Sequence, residues 1–166
     1  MIQLLRIDNR LLHGQILETW APRLGIREVV VADDAAAASP LAQAAMTLAL
    51  PADLPATILP VAEVDWAALA ARPDPVLVLL REVASFERAR AGGLTPALAL
   101  RLNLGNVHYA PGRRAITPSV FLSEAELGAV LDAAMAGFEV EARAVPSDAP
   151  AGPDELQARY NASGHG

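Results

Sequence analysis

Short aliphatic runs and amphipathic stretches alternate along most of this chain. Runs rich in Val, Ile and Leu at residues 3–7, 28–32, 56–61, 75–80, 97–103, 116–122 and 138–145 predict strands. Between them, apolar positions recur at helical spacing over residues 13–24, 40–50, 61–72, 85–91, 123–136 and 154–161. The punctuation agrees. Ser39-Pro40 offers an N-cap followed by proline at the first helical position. Ser123-Glu124-Ala125-Glu126 is a capping box, Gly137 closes the same helix, and Gly92-Gly93 ends another. Such alternation predicts an α/β fold, a single domain built on a doubly wound, mainly parallel β-sheet with helices on both faces. With 166 residues, the chain is expected to form one domain over 1–161, burying roughly 70% of its unfolded surface. The small polar tail 162–166 is expected to be disordered.

Composition narrows the function. Hydrophobic residues make up 53% of the chain and aromatics only 4%, so the core must be aliphatic. There is no cysteine, which excludes disulfides and thiolate metal sites and fits a reducing compartment. A net charge of −6 argues against binding nucleic acid or anionic lipid. All 13 basic residues are arginine. The uncharged stretch 35–52 is mostly alanine, broken by Ser39, Gln43, Thr47 and two prolines, and is too weakly apolar for a spanning helix. The N-terminus enters a strand and then a polar motif at once, so no export signal is expected. The histidines lie far apart in the sequence, and neither a metal centre nor a cofactor is expected. No glycine-rich nucleotide-binding fingerprint is present.

The candidate chemistry lies where the first strand ends, in Asp8-Asn9-Arg10-Leu11-Leu12-His13-Gly14-Gln15. Ligands of open α/β sheets gather at the carboxyl ends of strands, and residues 8–12 form such an end, as do 33–39, 81–84 and 105–112. A neutral imidazole is a good nucleophile toward phosphorus. A guanidinium offers planar donors to phosphoryl oxygens, and a helix start adds unpaired backbone N–H groups. His13 is therefore the candidate nucleophile and Arg10 the candidate stabiliser of the transferring group. Asp8 is read as holding Arg10 or His13, or as an ordinary Asx-turn. Gly14 either admits an anion close to the backbone or eases a tight helix entry, and Gln15 either donates to phosphate or packs. Arg6, inside the first strand, needs a partner carboxylate. Gly105 and His108 are placed in a loop forming the far wall of the cleft and, with Arg6, are candidate phosphate supports, while Arg113-Arg114 fall in a solvated turn.

The segment 6–16 resembles the active-site signature of the IIB components of the mannose/fructose/sorbose family of the bacterial sugar phosphotransferase system. Trp20, residues 28–34, the glycine-bearing 103–108 and Val145-Pro146-Ser147-Asp148 extend the likeness over most of 1–148. Two positions depart from the usual pattern. Asn9 stands where an acidic residue is common, and Asn106 where a second glycine is common. The resemblance implies a phosphotransferase that takes a phosphoryl group from a IIA component onto His13. It then passes the group to a sugar bound in membrane-embedded IIC/IID proteins. It implies a cytoplasmic protein, peripherally held at the inner face of the membrane by IIC/IID, and it leaves a homodimer open. The alternative is a regulatory phospho-carrier that reports to a protein partner without sugar transport. Asp33-Asp34 invites comparison with receiver domains of two-component signalling, but those need a lysine, and this chain has none.

Overall fold

The computed structural model describes residues 1–164. Strands β1 (Ile2–Asp8), β2 (Glu28–Ala32), β3 (Ala56–Leu59), β4 (Val76–Leu80), β5 (Arg101–Asn106) and β8 (Glu139–Ala142) form one sheet. Its order is β3-β2-β4-β1-β5-β8, and every neighbouring pair is parallel. Strands β6 (Arg114–Thr117) and β7 (Val120–Leu122) form a separate antiparallel pair. Central strands read as continuous apolar runs because both faces are covered. Thus all of β4 is buried.

Alternate residues divide between two cores. Leu4, Val29, Val31, Leu77 and Leu79 meet Ile16, Trp20, Ala36 and Met46 on one face. These come from helices α1 (Gly14–Glu18), α2 (Trp20–Arg23), α3 (Asp34–Ala37) and α4 (Pro40–Ala49). Leu5, Ile7, Val30, Val76 and Val78 face the other core, with α5 (Trp66–Ala70), α6 (Val83–Ala91), α7 (Glu124–Met135) and α8 (Pro153–Ser163). A single α/β domain with helices on both faces results, as the pattern predicted. No helix among the described residues is long and apolar enough to cross a membrane.

Several boundaries differ from the sequence reading, each for a local reason. The predicted helix 13–24 breaks at Thr19, whose hydroxyl donates to the Gln15 carbonyl at 2.6 Å. Helix 61–72 is a 3-10 turn followed by α5, because Asp65 caps a fresh start by accepting from the Ala68 N–H. The predicted strand 116–122 is the β6–β7 hairpin. Thr117 Oγ1 accepts from the N–H groups of Ser119 and Val120 and turns the chain at Pro118. Residues 97–100 precede β5, held in a turn by Thr95, and the strand runs on through Gly105 and Asn106. Helix α8 includes Ala162 and Ser163, which the composition had assigned to a disordered tail, while residues 165–166 lie outside the described residues. Helix α3 was not foreseen; Asp33 caps it, accepting from the Ala36 N–H at 2.9 Å.

The capping box of α7 forms as read, with Ser123 accepting from the Glu126 N–H and Glu126 accepting from the Ser123 N–H. Arg113, expected in a solvated turn, instead grips the Glu126 carboxylate with two nitrogens, at 3.0 and 2.7 Å. Burial alone would raise the Glu126 carboxyl, but the hydrogen bonds from Arg113 and Ser123 outweigh it and hold it below the ordinary range. Ser123→Ala is expected to lower stability by about 1 kcal/mol in urea unfolding. The sign of the pH dependence follows. The Glu126 contribution is complete above the unfolded carboxyl pKa, about 4.3. It is lost as pH falls through the lower folded value.

Strand β1 leads to α1 on one face, whereas its neighbours β4 and β5 lead to α6 and α7 on the other. That reversal makes the carboxyl end of β1 the topological switch point, where sheets of this kind hold their ligands.

Candidate phosphoryl-transfer site

Asp8 is the last residue of β1 and is fully buried, as is Arg6 two residues earlier. A buried charge requires a partner, and alternation along the strand sends both side chains to the same face. One carboxylate oxygen, Oδ2, accepts from Arg6 Nη2 at 3.1 Å, from Arg6 Nε at 3.3 Å and meets His13 Nε2 at 3.0 Å. The other, Oδ1, accepts from the Arg10 N–H at 2.9 Å and lies 3.7 Å from Arg10 Nε. Asp8 thus forms the Asx-turn and also anchors Arg6, Arg10 and His13.

Burial alone would raise the Asp8 carboxyl. The His13 hydrogen bond, the Arg6 charge and the Arg10 N–H outweigh it and hold the group below the ordinary carboxylate range. Burial lowers Arg6, against the opposing pull of Asp8, and its guanidinium stays charged at neutral pH. An ionised carboxylate only accepts hydrogen bonds. The proton in the Asp8–His13 bond therefore sits on Nε2, and the bare ring nitrogen of neutral His13 is Nδ1.

Arg6 reaches further along the same face. Its Nη1 donates to Asn103 Oδ1 at 2.7 Å and to the Arg143 carbonyl at 3.2 Å. Asn103 in turn donates to the Arg143 carbonyl at 3.1 Å. Paired strands place Arg6 beside Asn103 and Asn103 beside Glu141. A polar row therefore crosses β1, β5 and β8 inside the sheet. The Trp20 ring covers it, with the Arg6 guanidinium 5.5 Å from its centroid and that of Arg143 5.2 Å away. Its indole N–H donates to the Ala144 carbonyl at 2.9 Å.

Gly105 belongs to β5, not to a loop wall. A Cβ there would lie 2.0 Å from the Arg6 guanidinium carbon, so the glycine makes room for the buried arginine. His108 does fall in the loop after β5, but its part in the site is its backbone. Its N–H donates to Asn9 Oδ1, while the side chain is exposed. Asn9 also donates from Nδ2 to the Arg81 carbonyl at 3.1 Å and from its backbone to the Asn106 carbonyl at 2.9 Å. It therefore ties together the ends of β4, β1 and β5. An aspartate at this position could not make the side-chain donation. Arg81 adds a bidentate pair with Asp33, at 3.1 and 2.8 Å, and Asp34 accepts from the Val61 N–H and from Arg88, which commits both carboxylates to structure.

Leu11 takes a left-handed conformation with φ of 55°, unusual for a leucine, and its N–H closes a turn onto the Asp8 carbonyl at 3.0 Å. Such a conformation costs on the order of 1 kcal/mol. The reversal lets His13, five residues after Asp8, return its ring to that carboxylate. The His13 ring is 16% exposed and Arg10 is 45% exposed, so both reach solvent. Gln15 Oε1 accepts from Arg10 Nη2 at 2.8 Å. Gly14 opens α1, and a side chain there would meet open space.

Of the residues singled out in the sequence, Arg6, Asp8, Arg10, His13 and Gln15 form one bonded network, with Gly105 packed against it. The sequence reading missed Asn103, Glu141 and Arg143. A lone asparagine in an aliphatic strand was the signal available for the first.

The chain has recognisable relatives. Residues 2–163 match the family of PTS system sorbose subfamily IIB components. The N-acetylgalactosamine-specific phosphotransferase enzyme IIB component 2 of Escherichia coli is 32% identical over 148 residues, covering 89% of this chain and 92% of that one. The fructose-specific EIIB component of Bacillus subtilis is 28% identical over 153 residues, covering 89% and 90%. Among solved structures, N-acetylgalactosamine-specific IIB component 1 of Escherichia coli superposes with a TM-score of 0.82 at 26% identity, covering 90% of this chain and 97% of that one. The chain belongs to the sorbose-subfamily IIB components of the phosphotransferase system, the phosphoryl carriers of bacterial sugar uptake.

Proposed function

We propose that His13 is the carrier residue and that its Nδ1 takes the phosphoryl group. The single observation carrying this reading is the 3.0 Å bond between His13 Nε2 and the ionised Asp8, which leaves Nδ1 as the nucleophile. In the first step the Nδ1 lone pair forms the new N–P bond while the bond to the phosphorylated IIA donor breaks. The ring then carries positive charge, which Asp8 offsets. Arg10 supplies donors to the equatorial oxygens, where most of the catalytic stabilisation of phosphoryl transfer lies. Gly14 leaves space over the helix start for the incoming group. In the second step a sugar hydroxyl attacks phosphorus, the N–P electron pair returns to Nδ1 and the hydroxyl proton leaves to solvent.

The sugar is held by IIC/IID proteins, on which this carrier docks from the cytoplasmic side. Related chains named for N-acetylgalactosamine and fructose point to an amino-sugar or hexose substrate.

The test is incubation with a phosphorylated IIA protein, followed by intact mass and 31P–15N NMR of imidazole-labelled protein. One added phosphoryl group is expected, labile to acid, stable to base, coupled to Nδ1 and absent from His13→Ala. No gain in mass by folded wild type, or coupling to Nε2, would sink the reading.

A further inference from the structure

We propose that Asn106 is a positioning residue for phosphoryl transfer, whose side-chain amide fixes Arg10 in its working orientation. This inference rests on the reading of His13 as carrier, and it concerns a position where this chain departs from the family's usual glycine. The β1–β5 ladder pairs Ile7 with Leu104 and then Asp8 with Asn106, so Gly105 is an extra residue in β5. Bulges of this kind re-aim side chains beside functional sites. Here the bulge brings Asn106, rather than Gly105, opposite Asp8.

The amide orientation follows from its neighbours. With its nitrogen toward the Ser119 carbonyl at 3.1 Å, its oxygen accepts from Arg10 Nε at 2.9 Å. The reverse orientation would set oxygen against oxygen and nitrogen against nitrogen. The Ser119 carbonyl is itself fixed by accepting from the Val107 N–H at 2.9 Å, so the clamp rests on the β6–β7 hairpin. Arg10 is then held at two points, Nε by Asn106 and Nη2 by Gln15. A guanidinium has five N–H donors. Two are spent on the clamp, and three, on Nη1 and Nη2, remain for phosphoryl oxygens. An arginine held this way meets the transition state without first losing rotamer freedom.

Single-turnover phosphorylation by a phosphorylated IIA protein, run with wild type, Asn106→Ala, Arg10→Gln and the double variant, tests the proposal. Asn106→Ala is expected to lower the limiting rate about tenfold, with the half-saturating donor concentration unchanged. In the Arg10→Gln background the same substitution is expected to add no further loss. In unphosphorylated protein, the Arg10 Nε–H NMR signal should exchange with water several-fold faster in Asn106→Ala. An unchanged rate and exchange in Asn106→Ala, or a full additional loss in the absence of Arg10, would overturn the proposal. If wild type takes no phosphoryl group on His13, the carrier reading falls instead. The Arg10 Nε–H exchange then decides alone: faster in Asn106→Ala supports the clamp, and equal exchange overturns it.

Discussion

Asp8→Asn is expected to slow phosphorylation of His13 by about 10²–10⁴-fold while leaving the imidazole in place. The native carboxylate can only accept, which keeps the ring proton on Nε2. An asparagine amide can turn its NH2 group toward that nitrogen, moving the ring proton to Nδ1 and blocking the nucleophile. It also removes the negative charge that offsets the ring as the N–P bond forms. Stability should fall in the same variant, because Arg6 would remain buried with no counter-ion. Breaking one side of a buried pair costs about 3–5 kcal/mol.

The two effects separate experimentally. The rate is measured under conditions where urea unfolding places the variant in its folded baseline. The stability difference from wild type should be full at neutral pH. It should shrink as pH falls below about 3.9 and through the lower folded value of Asp8, since wild type then loses its own carboxylate. Wild-type rates in folded Asp8→Asn would refute the tautomer argument.

Gly105→Ala is expected to destabilise the domain by about 3–5 kcal/mol, a large share of the roughly 5–15 kcal/mol available to a domain. The added methyl would sit 2.0 Å from Arg6 Cζ and 2.3 and 2.4 Å from its terminal nitrogens. That guanidinium has no spare room. It is bonded to Asp8, Asn103 and the Arg143 carbonyl, under the Trp20 ring. To admit a methyl group it must leave its carboxylate, taking from Asp8 its buried counter-charge. Urea or thermal unfolding provides the measurement, and a wild-type midpoint would refute the account. Backbone strain plays no part, since Gly105 is not among the glycines with positive φ.

The contrast between these residues explains what the sequence could and could not reveal. The strand 28–32 and the β4 run were legible because buried parallel strands are continuously apolar. The Ser39 and Ser123 caps were legible because capping chemistry is local. His13, Arg10 and Asp8 were legible for the same reason, lying within eight residues of one another. Gly105-Asn106 looked like turn residues, and only pairing with β1 makes them strand. The row of Arg6, Asn103 and Glu141 depends on register between strands far apart in sequence. Beyond that row, a single inserted residue in β5 sets Asn106 rather than Gly105 opposite Asp8, and nothing in a local window records it. The β6–β7 hairpin was missed because a threonine hydroxyl, rather than a glycine, makes its turn.

The polar row has one more consequence, for the way the protein loses activity. Segments far apart in the chain, β1, β5, β8 and the residues after it, meet around Arg6 and Trp20. The groups that set the His13 ring are therefore core residues. A site built on a surface loop can fray by itself, through low-energy local openings. Here the catalytic geometry and the central sheet belong to one cooperative unit. A damaged population should consist of competent carriers and unfolded chains rather than slow ones, and its remaining activity should count the molecules still folded.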